Sequence, residues 1–259
     1  MFAPFDLTGK TCLITGGSRG IGFAMAKALA ASGADLLLWA NQRDSLTHAA
    51  EALQTYGTRV ETRLVDVGEE DQIVQGMHDI RSEFARLDAV IACAGIGQKE
   101  VPFSELETAI FDKVLAVNLH GTMWTMREAC KLFIQQANEG RGGASLIGVA
   151  SLAGRFGAPL IEGYASSKLA IEGLIRSVAV SMARYGVRAN AVVPGWIATD
   201  MTRHYRDRST ANEHIIRRIP LRRWGHADDL GAIAVYLVSD ASAYHTGDSL
   251  VIDGGYSVF

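Results

Sequence analysis

Short apolar runs alternate with amphipathic stretches along the whole chain. Runs at 11–15, 35–39, 58–64, 89–92, 144–150, 188–193 and 249–252 carry apolar residues continuously rather than at every second position. A continuous run predicts a strand covered on both faces, as in a parallel sheet. The intervening stretches 21–31, 44–56, 71–84, 122–137 and 162–184 have helical spacing. In the last, Ile171, Leu174, Ile175, Val178 and Met182 fall at steps of three and four and define one apolar face. Strand-helix alternation repeated in this way predicts a doubly wound α/β sheet in a single domain. Only 200–224 breaks the rhythm, and it holds seven arginines, at 203, 206, 208, 217, 218, 222 and 223. An insertion between a late strand and the next helix predicts a short helical substrate lid.

Composition narrows the function classes. With 259 residues, 48% of them hydrophobic, the chain can bury one sizeable core. A net charge of −3 lacks the basic excess of a nucleic-acid binder. Cys12, Cys93 and Cys130 are odd in number and form no C-x-x-C pair, which argues against a disulfide framework or a zinc site. No histidine cluster has ligand spacing, so no metal is expected. The first residues lack the basic and apolar segments of a signal peptide, and no run is long enough to span a membrane. A cytoplasmic protein without membrane or nucleic-acid partners is expected.

The first strand ends in Thr15-Gly16-Gly17-Ser18-Arg19-Gly20-Ile21-Gly22. Glycines there permit a tight turn and close approach of a pyrophosphate, and the following helix start attracts its charge. The spacing G-x-x-x-G-x-G differs from the usual G-x-G-x-x-G fingerprint. The same residues satisfy G-x-S-x-G, the nucleophile elbow of α/β-hydrolases, with Ser18 as nucleophile. That elbow needs earlier strands and an oxyanion loop, for which the preceding 17 residues leave no room.

Tyr164 and Lys168 stand four residues apart on a predicted helix, hence on one face. Ser151 lies just past the end of the 144–150 run, where open α/β sheets bind ligands. A free tyrosine ionises near pH 10, and neighbouring positive charge favours its phenolate. Such a phenol, next to a hydroxyl, is a candidate general acid/base.

Thr15-Gly16-x-x-x-Gly20-x-Gly22, Asp66-Val67, Ala94-Gly95, Asn118, Ser151, Tyr164, Lys168 and Pro194-Gly195-x-x-x-Thr199 occur in this order. In this set the chain resembles the short-chain dehydrogenase/reductase family, with its Rossmann fold, over nearly its whole length. The resemblance implies that Tyr164 transfers the substrate proton and Ser151 orients the substrate oxygen. Lys168 would hold the nicotinamide ribose and depress the tyrosine pKa, and Asn118 would hold a water in a proton relay. Asp66 and Val67 would contact the adenine, Ile197 and Thr199 the nicotinamide carboxamide. Asp253-Gly254-Gly255 resembles the family's closing motif, near a subunit interface, and implies a homotetramer or homodimer.

Three departures bear on specificity. Ile91-Ala92-Cys93-Ala94-Gly95 lacks the two asparagines usual in the family, which removes side-chain hydrogen bonds near the adenosine. Cys93 reads as a small filler rather than a redox thiol. After the second strand come Ala40, Asn41 and Gln42, with no carboxylate to bind a ribose 2′-hydroxyl or repel a 2′-phosphate. Asn41, Arg19 and Arg43 fit NADP(H) better than NAD(H), although Asp44 stands two positions beyond the expected acid. The arginine-rich insertion allows an anionic substrate such as a sugar acid or an acyl thioester, against the plainer reading of a solvated or intersubunit surface. The stretch 213–225 is similar to gluconate 5-dehydrogenase-like members. The sequence therefore predicts an NADP(H)-preferring alcohol–ketone oxidoreductase. The alternatives are a 3-oxoacyl thioester reductase and a non-catalytic cofactor-binding module.

Overall fold

The computed structural model describes residues 3–259. Nine strands form: β1 Thr11–Thr15, β2 Asp35–Ala40, β3 Val60–Leu64, β4 Ala89–Ala92, β5 Ala144–Val149, β6 Val187–Pro194, β7 Ile197–Ala198, β8 Gly225–His226 and β9 Ser249–Ile252. Seven of them build one sheet in the order β3-β2-β1-β4-β5-β6-β9, with every pair parallel. The order reverses between β1 and β4, the place where such sheets open a crevice at their carboxyl ends.

Successive side chains of a strand face opposite sides, so continuous apolar runs feed two cores. Leu13, Leu37, Trp39, Val90 and Leu146 join one core. Cys12, Ile14, Leu36, Leu38 and Ile147 join the other. Helices α3 (Glu70–Glu83), α5 (Gly121–Asn138) and α6 (Glu162–Met182) cover the first core. Helices α1 (Gly20–Ala31), α2 (Arg43–Gln54) and α9 (Gly231–Val238) cover the second. On α6, Ile171, Ile175 and Met182 are buried, and Leu174 and Val178 partly so, which matches the predicted face.

Two expectations need correction. The 58–64 run is not covered on both faces. β3 is an edge strand, and Glu61, Thr62 and Leu64 are exposed. Its Glu61, Thr62 and Arg63 put three polar residues in succession, which suits an edge strand open to solvent rather than one covered on both faces. The helix predicted at 122–137 is also only part of a longer rod. Helix α4 (Thr108–Leu115) runs through a π turn at Ala116–His120 into α5.

The 200–224 stretch forms two helices, α7 (Arg203–Arg206) and α8 (Ser209–Arg218). Its ends are drawn together by the parallel pairing of Ile197 with Gly225 and Ala198 with His226. Among the described residues no helix is long and apolar enough to cross a membrane.

Candidate active site

Gly16 and Gly20 both adopt positive φ, at 66° and 56°. A Cβ on Gly16 would lie 2.8 Å from Ala94 Cα, and one on Gly22 would lie 2.3 Å from the Gly16 carbonyl. The turn therefore folds only with glycine and brings bare backbone to the start of α1, a cradle suited to a diphosphate. Thr15 Oγ1 accepts from Cys93 N and Ala94 N, each at 3.1 Å. This bond ties β1 to the end of β4 without the missing asparagines. Ser18 points toward α2, where the Ser45 hydroxyl lies 3.0 Å away. The sequence reading missed Ser45, and Ser18 has no histidine among its hydrogen-bond partners, which removes the hydrolase alternative.

Arg19, Asn41 and Arg43 are exposed around the β2 end of this cradle. Neither guanidinium is held in an ion pair among the described residues. Asp66 Oδ1 accepts from Gly68 N at 2.9 Å, so this carboxylate shapes its own turn, with Val67 buried beside it.

The candidate catalytic residues converge around Gly95. A Cβ there would lie 3.1 Å from Asn118 Oδ1 and 3.4 Å from Lys168 Nζ. Asn118 sits inside the π turn and is fully buried. Its Oδ1 accepts from Ile96 N at 2.8 Å, and its Nδ2 donates to Ile96 O at 3.0 Å and to Ser167 Oγ at 3.2 Å. A π turn widens the helix by one residue and is common at functional sites. Lys168, buried, donates to Val149 O at 2.8 Å. It can reach that carbonyl because Gly148 on β5 leaves room for α6: a Cβ there would be 2.8 Å from Ile171 Cγ2.

Tyr164 occupies the first turn of α6, with Ser151 at the end of β5 near enough to lower its phenol. Gln98, also missed by the sequence reading, caps this helix from the loop after β4. It accepts from Tyr164 N at 3.2 Å and donates to Leu160 O at 3.1 Å. Long-range contacts of this kind leave no local sequence signal.

The electrostatics differ from the expectation. Burial raises the Tyr164 phenol, Ser151 lowers it, and the Cys93 thiol adds to the rise. Lys168 Nζ stands 5.8 Å from the centre of the Tyr164 ring. Its own ammonium is pulled down to about 8 by burial. Burial holds the Cys93 thiol protonated, pushed up to about 11, so it is a neutral wall rather than a nucleophile.

Pro194 ends β6, and Gly195 admits Asp253, whose Cα would lie 2.7 Å from a Cβ there. Ile197 is buried, and Thr199 reaches the glycine turn, with its Cγ2 3.6 Å from a Cβ placed on Gly20. Thr202 Oγ1 fixes this corner through Ile197 O at 2.7 Å and Thr199 N at 3.1 Å. Beyond it, Trp196 packs edge-on against Tyr205 and Trp224, at 5.2 and 5.5 Å between ring centres. Burial and a hydrogen bond to Glu100 raise the Tyr205 phenol, which stands near enough to Tyr164 to feel its charge.

Six of the seven arginines in 200–224 are exposed and have partners in the protein. Arg203 pairs with Asp200 at 2.5 Å, Arg208 with Glu100 at 3.9 Å, Arg217 with Glu213 at 3.8 Å and Arg223 with Asp229 at 2.7 Å. Arg218 lies 4.4 Å from the Tyr256 ring centre, and Arg222 donates to the Arg217 carbonyl. For these six the surface reading holds.

Comparison with known proteins agrees with this architecture. Residues 16–257 match a family model described as enoyl-(acyl carrier protein) reductase. A 2-dehydro-3-deoxy-D-gluconate 5-dehydrogenase from Bacillus subtilis is 35% identical, over 97% of this chain and 96% of that protein. A sorbose reductase from Schizosaccharomyces pombe is also 35% identical, over 99% of each. The structure of a gluconate 5-dehydrogenase from Burkholderia cenocepacia in complex with NADP and tartrate superposes with a TM-score of 0.92 at 28% identity. It covers 99% of this chain and 98% of its own. Full-length matches of this kind, on a site built from Ser151, Tyr164, Lys168 and Asn118, show that the chain belongs to the short-chain dehydrogenase/reductase family and is an oxidoreductase.

Proposed function

We propose that the chain interconverts a secondary alcohol and a ketone on a polyhydroxylated substrate, a sugar acid or ketose, using NADP(H). The observation that carries this reading is the meeting of Asn118, Lys168 and Gly95 beside Tyr164 and Ser151. Bound NADP(H) would supply the hydride. The glycine turn, Asp66, Val67 and 93–95 would hold its adenosine and diphosphate, with Arg19, Asn41 and Arg43 at the 2′-phosphate. Lys168, Pro194, Gly195, Ile197 and Thr199 would line the nicotinamide end.

Ser151 holds the substrate oxygen and Tyr164 gives it a proton on reduction or removes one on oxidation. Burial keeps Tyr164 protonated, which suits a proton donor to a nascent alkoxide. For oxidation it needs extra positive charge, which Lys168 supplies only while protonated, below about pH 8. The names of the similar proteins support sugar-type substrates more than acyl thioesters. The 200–224 segment would act as the lid. Leu169 and Val180, exposed on α6, support assembly with further copies of the chain, which sedimentation would test.

Tyr164→Phe tests the reading. Turnover, followed by NADPH absorbance, should fall by roughly 10²–10⁴-fold, the usual contribution of a general acid/base. Affinity for NADPH should be retained. Unchanged turnover sinks the assigned role.

A further inference from the structure

One arginine of the lid segment is both half-buried and without an ion pair among the described residues. Arg206, at the last position of α7, is half-buried where the other six are exposed. Its Nη2 donates to Thr199 O at 3.2 Å, and it forms no ion pair among the described residues. Its Nε is shielded from solvent and has no hydrogen-bond partner. Glu100 pairs instead with His204 at 3.7 Å and Arg208 at 3.9 Å and engages Tyr205. A shielded N–H without a partner is costly unless an acceptor completes it.

The surroundings of Arg206 belong to the reaction site. Thr199, whose carbonyl it holds, packs over Gly20 of the diphosphate cradle. Its chain neighbour Tyr205 faces Glu100 and packs edge-on against Trp196, three residues before Thr199. An anionic oxygen placed between cradle and lid would satisfy Nε with a charge-assisted bond.

We propose that Arg206 is the anion-binding residue of the lid, with Nε reserved for a carboxylate or phosphate oxygen of a bound ligand. Two ligands can present that chemistry: the carboxylate of a sugar acid and the diphosphate of the cofactor. The first source rests on the sugar-acid reading above; the second does not. The other six arginines of the segment are exposed and engaged within the chain, so selection of an acid over a neutral ketose would rest on this single side chain.

Wild type, Arg206→Met and Arg206→Lys separate the cases. NADPH affinity is measured by fluorescence titration without substrate. Rates are then compared for 5-ketogluconate and for sorbose, an acid and a neutral ketose. If the anion is the substrate, Arg206→Met raises KM for the acid by roughly tenfold or more, the usual weight of a hydrogen bond to a charged group. KM for sorbose and NADPH affinity stay put, and Arg206→Lys recovers part of the loss. If the anion is the cofactor diphosphate, NADPH affinity itself falls by a similar factor. Equal changes for acid and ketose with NADPH affinity unaltered mean a merely structural role and overturn the proposal, as does no change at all. A wild-type protein that ignores the acid defeats the sugar-acid reading instead. The NADPH titration alone then decides, and an unaltered affinity overturns the assignment.

Discussion

The corner around Gly95 and the 200–224 segment, the proposed lid, are held by different physics. In the corner, Asn118 and Lys168 are buried and bonded to backbone groups of the Ile96 loop and β5. The Lys168 bond is buried and the two Asn118 bonds are partly so. The lid rests on exposed ion pairs such as Arg203 with Asp200 and Arg223 with Asp229, each worth little in water. Its stronger anchors are the Trp196, Tyr205 and Trp224 rings. On the proposed reading, chemistry that tolerates little displacement falls on the rigid part and selection among substrates on the part that can adjust.

The sharpest way to break this contrast is Asn118→Ala. It leaves the half-buried Ile96 N–H and carbonyl without their Asn118 partner and should cost roughly 1–3 kcal/mol by urea denaturation. Activity should fall with it. A loss under 0.5 kcal/mol would show that the corner is not rigid in the sense argued. Next is the pH dependence carried by Lys168. Its ammonium is held near 8 in the folded chain, below its usual 10.5. The unfolded chain therefore binds more protons between these values, and this contribution to stability rises with pH across that window. Lys168→Met should flatten that rise in denaturation curves taken from pH 7 to 10.

Gln98→Ala is subtler. The first turn of α6 loses an acceptor for the Tyr164 N–H, a capping change of about 1 kcal/mol. Lower kcat with little change in NADPH affinity is expected, because Tyr164 is mispositioned rather than removed. The smallest effect belongs to the lid surface. Arg203→Ala should move the unfolding free energy by no more than about 0.5 kcal/mol, and a larger loss would place this ion pair among the structural anchors.

The outline of this contrast was legible in the sequence, but its details were not. The central strands showed themselves because Val, Ile and Leu run without interruption where both faces are covered. The Tyr164–Lys168 spacing placed two functional groups on one helix face. Edge strand β3 was misread because its length and flanks resemble a buried run, while Glu61 and Arg63 already signalled solvent. The π turn around Asn118, the cap from Gln98 and the Ser18–Ser45 bridge depend on contacts between distant segments. The balance at Tyr164 was also out of reach, since burial is a property of the packed whole. The isolation of Arg206 emerged only once its neighbours' partners were known.

The two-residue pairing of β7 with β8 has an evolutionary consequence. It brings the ends of the 200–224 excursion side by side, so the intervening chain closes a loop on a finished scaffold. Lengthening such a loop costs only slowly growing entropy. The excursion is thus an exchangeable cassette: descendants of one oxidoreductase could trade it for another and acquire new diets without rebuilding the machinery beneath.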